Sequence, residues 1–319
     1  MARRNKGRDI SGIVVINKPL GLSSNQVLQR VKTLYNARKA GHTGALDPQA
    51  TGVLPVCLGE ATKFSQLLLE SDKAYETTAS LGEVRSTGDA EGEVIRRIPV
   101  PPLTTAQVET VLEHFRGEVE QVPPMFSALK LNGRPLYELA RQGMDEAEMR
   151  AIAERKRRVI TVSELILQDL RPAELDLSVR CSKGTYIRSL VEDIGEALGC
   201  GAWVSRLQRT ACGPYHCGQM VTLEALEALA EQGDEALDAV LLPPETAVPH
   251  WPEVHLTLEE ADKMLHGQPL KTGLSAAPSV QLWAVDSGVR LLIGIGRIDD
   301  GRIRAKRLLQ VTLPGQDSV

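Results

Sequence analysis

Ile13-Val14-Val15-Ile16, a run of β-branched residues closed at Lys18-Pro19, reads as a buried strand. Within a few residues the period changes. Ser23 and Gln26 form a capping box, Leu22 and Val27 close a hydrophobic staple around it, and Val27, Leu28, Val31, Leu34 and Tyr35 share one helical face. A strand passed directly to a capped helix limits the chain to mixed folds. The signature recurs at Thr104 and Gln107, with Leu103 and Val108 as staple, and predicts a helix stopping at Gly117 as its C′ residue. Leu175, Leu177, Val179 and Cys181 alternate as a half-buried strand does; Ile187, Leu190, Val191, Ile194 and Leu198 then mark a helix ended by Gly199. This irregular order, without a repeat of fixed period, excludes solenoids and propellers and gives an α+β fold class.

A chain of 319 residues corresponds to about two domains. The proline-rich stretch from Leu242-Pro243-Pro244 to Pro249-His250-Trp251-Pro252 is the best boundary, dividing 10–247 from 248–314. Beyond it Thr257 and Glu260 cap one short helix. Leu282-Trp283-Ala284-Val285 and Leu291 to Ile295 read as strands, with a turn at Asp299-Asp300-Gly301, so the second domain is expected to be small and mostly β.

With a formal net charge of -4 the whole chain is no general polyanion binder, and a nucleic-acid surface would have to be local. Three basic patches are available: Arg3, Arg4, Lys6 and Arg8; Arg155 to Arg158; and Arg302, Arg304, Lys306 and Arg307. Each reads equally well as a solvated face. Five cysteines without paired Cys-x-x-Cys spacing argue for reduced thiols. Cys212, His216 and Cys217 lack a fourth ligand for a closed zinc site, so no metal is expected. No signal-peptide pattern or apolar run of membrane-spanning length occurs, which makes the cytoplasm the expected location.

Gly41 to Pro48, continuing to Gly52, has too many glycines for a regular element and polar residues too particular for a spacer. It is expected to be a structured loop. Pro48 biases Asp47 toward an extended conformation, and the glycines admit close approach of a ligand. Neither a dinucleotide fingerprint nor a phosphate loop is present. From the residues alone, Asp47 is either an Asx-turn residue holding the loop shut or a chemical group; His42 reads as a loop hydrogen-bonder and Tyr75 as core or surface filler.

The string G-H-T-G-A-L-D-P, preceded by N-K-P-L-G-L-S-S and followed in order by G-E-A-T-K-F, D-K-A-Y-E, P-P-M-F-S-A-L-K and C-S-K-G-T-Y-I-R-S-L, resembles the TruB family of transfer RNA pseudouridine synthases. The matches run over most of Ile10 to Thr210. The resemblance implies a catalytic domain built on a mixed, largely antiparallel sheet with flanking helices, an RNA-gripping insertion around 124–155, and a PUA-like RNA-binding tail. It implies Asp47 as the catalytic carboxylate. His42 would help hold the target uridine out of its stack, Tyr75 would stack on the flipped base, Tyr186 and Leu207 would line the pocket, and Arg188 would pair with the aspartate. The substrate implied is uridine 55 in the T-arm loop of transfer RNA, acted on by a monomer with no cofactor and no guide RNA. An added RNA-folding chaperone role is compatible with it.

The chemistry suits these residue types. Pseudouridine formation breaks a carbon–nitrogen glycosidic bond, turns the uracil and rejoins it through carbon. It needs a carboxylate near sugar and base, and a dry pocket to retain the base. A glycoside hydrolase would need a second carboxylate at the bond, which the loop does not supply. Arg85-Ser86-Thr87, Trp203 and Gln208 depart from the family's usual Thr-Asp-Thr, His and Arg, and bear on contacts behind the pocket.

Overall fold

In a computed structural model the structure describes residues 7–127, 130–131, 134–136, 139 and 142–314. Arg3, Arg4 and Lys6 of the first basic patch, and Ala128 and Leu129 of the motif that begins at Pro123, lie outside these residues. The main sheet has nine strands: β1 (Gly12–Lys18), β2 (Ala40–His42), β3 (Ala50–Leu58), β4 (Lys73–Leu81), β5 (Gly117–Gln121), β6 (Arg158–Arg171), β7 (Glu174–Cys181), β8 (Ala202–Cys212) and β9 (Tyr215–His216). Its order is β1-β3-β8-β4-β7-β6-β5, with β2 added to β3 and β9 to β8. Every pairing is antiparallel except β3 with β8. The fold is α+β, with a mixed and largely antiparallel sheet.

Helices cover this sheet because their apolar stripes need a partner. Helix α1 (Ser24–Leu34) starts on the expected Ser23–Gln26 capping box and buries Val27, Leu28 and Val31. Helix α2 (Ser65–Glu70) is short. Helix α3 (Thr105–Glu113) starts on the Thr104–Gln107 box but ends well before Gly117. Phe115 and Arg116 donate to carbonyls three residues back and tighten the chain; Gly117, at φ +82, then turns it into β5. Helix α4 (Glu146–Glu154) precedes β6. Helix α5 (Ile187–Ala197) covers β7 and β8 with Ile187, Leu190, Val191 and Ile194, and Gly199, at φ +78, follows its cap as expected. Helices α6 (Leu223–Gln232) and α7 (Asp234–Asp238) carry the acidic stretch. Tyr35, fully buried, donates its hydroxyl to the Leu237 carbonyl and fixes α1 to α7.

Strand β3 determines where a site can form. Its first residues pair with β8 (Ala50 to Gly52 with Leu207 to Arg209) and its last with β2 (Val56 to Leu58 with His42 to Ala40), leaving Val53 to Pro55 between two partners. Pro55 is tolerated there because the N–H it lacks would point into the gap. The expectation of a loop from Gly41 continuing to Gly52 is amended at both ends, since Gly41 and His42 belong to β2 and Ala50 to Gly52 to β3.

The C-terminal part is a five-stranded sheet of order β10-β12-β13-β14-β11, made from β10 (Glu253–Leu256), β11 (Leu270–Lys271), β12 (Ala277–Asp286), β13 (Val289–Asp299) and β14 (Arg302–Leu308). Helix α8 (Leu258–Leu265), capped by Thr257 and Glu260, closes one face. Trp283, Leu292, Ile295 and Leu309 pack in one cluster with Ile13, Val15, Phe64 and Leu68 of the main body, and Ala247 and Val248 of the proline-rich stretch are buried in it. Lys63 Nζ donates to the Leu308 carbonyl at 2.7 Å, and Glu60 accepts from the Gln310 amide at 2.6 Å. Removing the tail would expose this apolar surface.

Gly52 sits at φ +101, and a Cβ there would lie 2.2 Å from the Arg209 carbonyl oxygen. Gly52→Ala is expected to destabilise the chain by more than about 3 kcal/mol. Gly117→Ala, at φ +82 with nothing within 4 Å of the added atom, should cost only about 1 kcal/mol. Urea midpoints of the two variants check this; similar losses would show that close approach is not the cause.

Candidate active site

The segment from Thr43 to Gln49 fills the gap beside β3 and is tied down at both ends. Thr43 donates its amide to the Pro55 carbonyl at 3.2 Å. Ser24, at the start of α1, accepts from the Leu46 amide at 2.7 Å and donates to the Leu46 carbonyl at 3.1 Å. Pro48 opens a turn closed by the Ala50 amide on the Asp47 carbonyl at 3.0 Å, and the Pro48 carbonyl accepts from Gly21 at 2.8 Å. Lys18, fully buried, donates to the carbonyls of Pro19, Leu22 and Pro48; burial lowers its pKa to about 8. The backbone turn thus leaves the Asp47 carboxylate available.

That carboxylate meets Arg188. Nε of the guanidinium lies 2.9 Å from Asp47 Oδ2; the two terminal nitrogens donate to the carbonyls of Thr87 at 2.8 Å and Phe126 at 2.9 Å. Asp89 Oδ2 stands 3.7 Å away on the far side. Asp89 also accepts from the Thr87 hydroxyl at 2.5 Å and the Glu91 amide at 3.1 Å, so it is fully engaged. Arg188, a residue 5% exposed, is fixed by four groups and can aim at Asp47 in one direction. Burial pushes the Asp47 carboxyl above its usual range; Arg188 pulls it down, and the Asp89 charge pushes it up again. Burial prevails, whereas the arginine alone would lower the value. Water still reaches the group, whose side chain is 44% exposed.

Tyr75 lies on β4, paired across to Val179 on one side and Arg209 on the other. Burial pushes its phenol up to about 12, opposed by the Arg209 guanidinium that hydrogen-bonds it. Arg209, 1% exposed, also donates to the carbonyls of Val53 at 2.7 Å and Gly44 at 3.1 Å. One buried cation therefore joins the gap in β3, the glycine loop and the aromatic. Lys73, on the same strand as Tyr75, donates to the carbonyls of Leu68, Leu69 and Ser71.

Tyr186 caps α5 and is clasped by buried Gln121, which accepts from its amide at 2.8 Å and donates to its carbonyl at 2.9 Å. The Arg158 guanidinium lies 4.9 Å above the Tyr186 ring centroid, so the second basic patch sends one residue to the site's edge.

Asp47, Tyr75, Tyr186, Arg188 and Leu207 line one pocket of about 260 Å³, with Gly44, Lys73, Ser127 and Arg209. His42 is not among the lining residues. It stands on β2, two residues before Gly44, with Nδ1 buried and without a hydrogen bond; burial and the Arg209 charge lower its pKa, which keeps it neutral at pH 7. Among the described residues Asp47 is the one carboxylate lining this pocket, so among them the paired carboxylates of a glycoside hydrolase are not assembled. Among the described residues no group of three or more His, Cys, Asp or Glu side chains could hold a metal ion. The five thiols are free; Cys57 is pushed up to about 12 by burial.

Sequence reasoning missed Asp89, Arg209, Lys18 and Ser127. Asp89 and Arg209 become visible only once distant strands pair; Lys18 belongs to the first family motif, yet its sequence context marks no more than the end of a strand. Arg85, Ser86, Trp203 and Gln208, where the chain departs from the family pattern, are not among the residues lining the Asp47 pocket. Arg85 stacks 3.8 Å over the Trp203 ring, so two of them form one contact, and Gln208 accepts from Arg206 at 3.0 Å.

Sequence profiles of three TruB-related domains match consecutive stretches: the TruB family pseudouridylate synthase N-terminal domain over 32–187, the tRNA pseudouridylate synthase B C-terminal domain over 188–249, and the pseudouridine synthase II TruB C-terminal domain over 252–309. A protein of Vibrio parahaemolyticus serotype O3:K6 (strain RIMD 2210633) named tRNA pseudouridine synthase B is 51% identical over 318 residues, covering 97% of this chain and 98% of the relative. One of the same name from Stutzerimonas stutzeri (strain A1501) is 51% identical over 305 residues, covering 95% and 97%. A chain in the crystal structure of a Cbf5-Nop10-Gar1 complex superposes with a TM-score of 0.69 at 25% identity, covering 93% of this chain and 84% of that one. The chain belongs to the TruB family of pseudouridylate synthases.

Proposed function

We propose that the chain isomerises uridine to pseudouridine in transfer RNA, at position 55 of the T-arm loop, with Asp47 as the catalytic carboxylate. The observation that carries this reading is the Asp47–Arg188 pair at 2.9 Å, on the wall of a pocket that also holds Tyr75 and Leu207. The pocket's size suits one pyrimidine ring better than a larger ligand. Reaching it requires the nucleotide to leave its stack, at a cost of a few kcal/mol that stacking on the Tyr75 ring partly returns. In this reading His42, neutral and at the head of the loop, contacts the displaced RNA. Arg188 opposes the effect of burial on Asp47 and fixes its direction, so that the carboxylate meets the sugar and base without reorganising.

In this reading 10–247 is the catalytic domain, with the RNA-gripping insertion around 124–155, and 248–314 is a PUA-like RNA-binding domain. Support comes from β14 and β11, where Arg302 pairs across from Lys271, and Arg302, Arg304 and Lys306 alternate along one strand. The enzyme acts alone as a cytoplasmic monomer, needing neither cofactor nor guide RNA.

Asp47→Asn should reduce pseudouridine formation by on the order of 10³-fold or more while transfer RNA still binds. Mapping pseudouridine in unmodified transfer RNA tests both the reaction and its position. Full turnover by the variant, or modification elsewhere, would refute the corresponding part of the reading.

Because burial raises the Asp47 carboxyl, the acid limb of kcat/KM should lie above the ordinary aspartate value of about 3.9. The active form is the carboxylate, so activity is lost as pH falls through that raised value. Arg188→Met removes the opposing cation and should move the limb to higher pH; Asp89→Asn removes a negative neighbour and should move it lower. Shifts of the opposite sign would contradict the electrostatic account.

Replacing Lys271, Arg302 and Lys306 by Gln should weaken transfer RNA binding and flatten its salt dependence by about 0.7 to 0.9 for each phosphate no longer neutralised, with the single-turnover rate at saturation preserved. Unchanged affinity and slope would show that this face does not bind RNA.

A further inference from the structure

Ser127 is 4% exposed, and its hydroxyl has no hydrogen-bond partner among the described residues. Buried polar groups are rarely left in this state. The residue lines the pocket that holds Asp47, Tyr75 and Arg188. The carbonyl just before it, of Phe126, accepts from Arg188 at 2.9 Å. The backbone bearing this unused hydroxyl is therefore pinned to the same cation that orients Asp47.

We propose that Ser127 is a substrate-binding residue which donates a hydrogen bond to a carbonyl oxygen of the flipped uracil, before and after the base turns. This rests on the functional reading above. A nucleotide within an RNA strand enters base first, and its sugar stays near the mouth, held by the phosphodiester chain. Asp47, with a side chain 44% exposed, belongs to that mouth, whereas Ser127 is a buried residue of the same pocket's lining, where the base rather than the sugar would meet it.

The reaction itself makes a hydroxyl suitable. Cleavage leaves the C1′–N1 electron pair on the ring, and the negative charge spreads onto O2 and O4. Rejoining forms a C5–C1′ bond from the ring's electrons; C5 gives up its proton and N1 takes one, so atoms and charge balance. Replacing N1 by C5 at the sugar carbon requires a half-turn of the ring about the line through N3 and C6. That half-turn exchanges O2 with O4. A donor aimed at either oxygen thus meets an equivalent acceptor at both stages, and its bond is strongest while the ring carries the charge.

Ser127→Ala in the full chain tests this with three measurements. The melting temperature of the free protein should be unchanged or raised, since removing an unsatisfied buried hydroxyl relieves a cost. The single-turnover rate on unmodified transfer RNA should fall about tenfold, with little change in Kd. Substituting 4-thiouridine at the target should slow the natural protein, because sulfur accepts hydrogen bonds poorly, yet slow the variant no further. A variant as fast as the natural protein, a rate loss that only tracks lost stability, or additive losses with the thio substrate would each overturn the proposal. If the natural protein makes no pseudouridine in the same assay, the functional reading itself fails, and with it the role of Ser127.

Discussion

The site depends on one edge of β3 being paired at its two ends and open between them, while β1 pairs along the other edge. Strands normally spend their main-chain carbonyls on neighbouring strands. Here the Val53 and Pro55 carbonyls face a gap, and they hold Arg209 and Thr43 instead. Those two bonds bring a cation and a glycine loop to the middle of the sheet. Regular pairing along the whole strand would leave no room for a pocket at that place.

The second governing feature is how the buried cations are satisfied. Lys18 and Lys73 each donate to three main-chain carbonyls, and Arg209 to two carbonyls and a phenol. Carbonyls satisfy the N–H groups without cancelling the charge. Arg188 alone among the four pairs with carboxylates, and it has two within 4 Å. Lys73, Arg188 and Arg209 line the pocket, which sets fixed positive charge close to one usable carboxylate, an environment that favours negative charge arising on a bound group.

Much of this is legible in the chain. The capping boxes at Ser23, Thr104 and Thr257 start helices because their bonds are local, made within three residues. Period-two alternation places Leu175 to Cys181 with its buried face correct. Where reading fails, the deciding bonds are not local. Gly117 is expected to end a helix that in fact stops near Glu113, and β2 forms only because β3 offers a free edge to Gly41 and His42. Asp47, Tyr75, Tyr186, Arg188 and Leu207 are named through the family resemblance; composition and spacing alone leave Asp47 and Tyr75 open. Asp89 and Arg209 carry no pattern of their own and gain meaning from partners distant in the chain; Ser127 stands inside the P-P-M-F-S-A-L-K string, which says nothing of its hydroxyl, and gains meaning from having no partner among the described residues.

The shared cluster of Trp283, Leu292, Ile295 and Leu309 with Ile13, Val15 and Phe64 has a geometric consequence. A tail on a flexible tether would sample many separations from the pocket. A tail sealed to the body through a common core holds one separation, set when the chain folds. Were a partner to touch both the Lys271–Arg302 face and the pocket, it would need those two points already the right distance apart, as between the fixed jaws of a calliper, whatever its sequence.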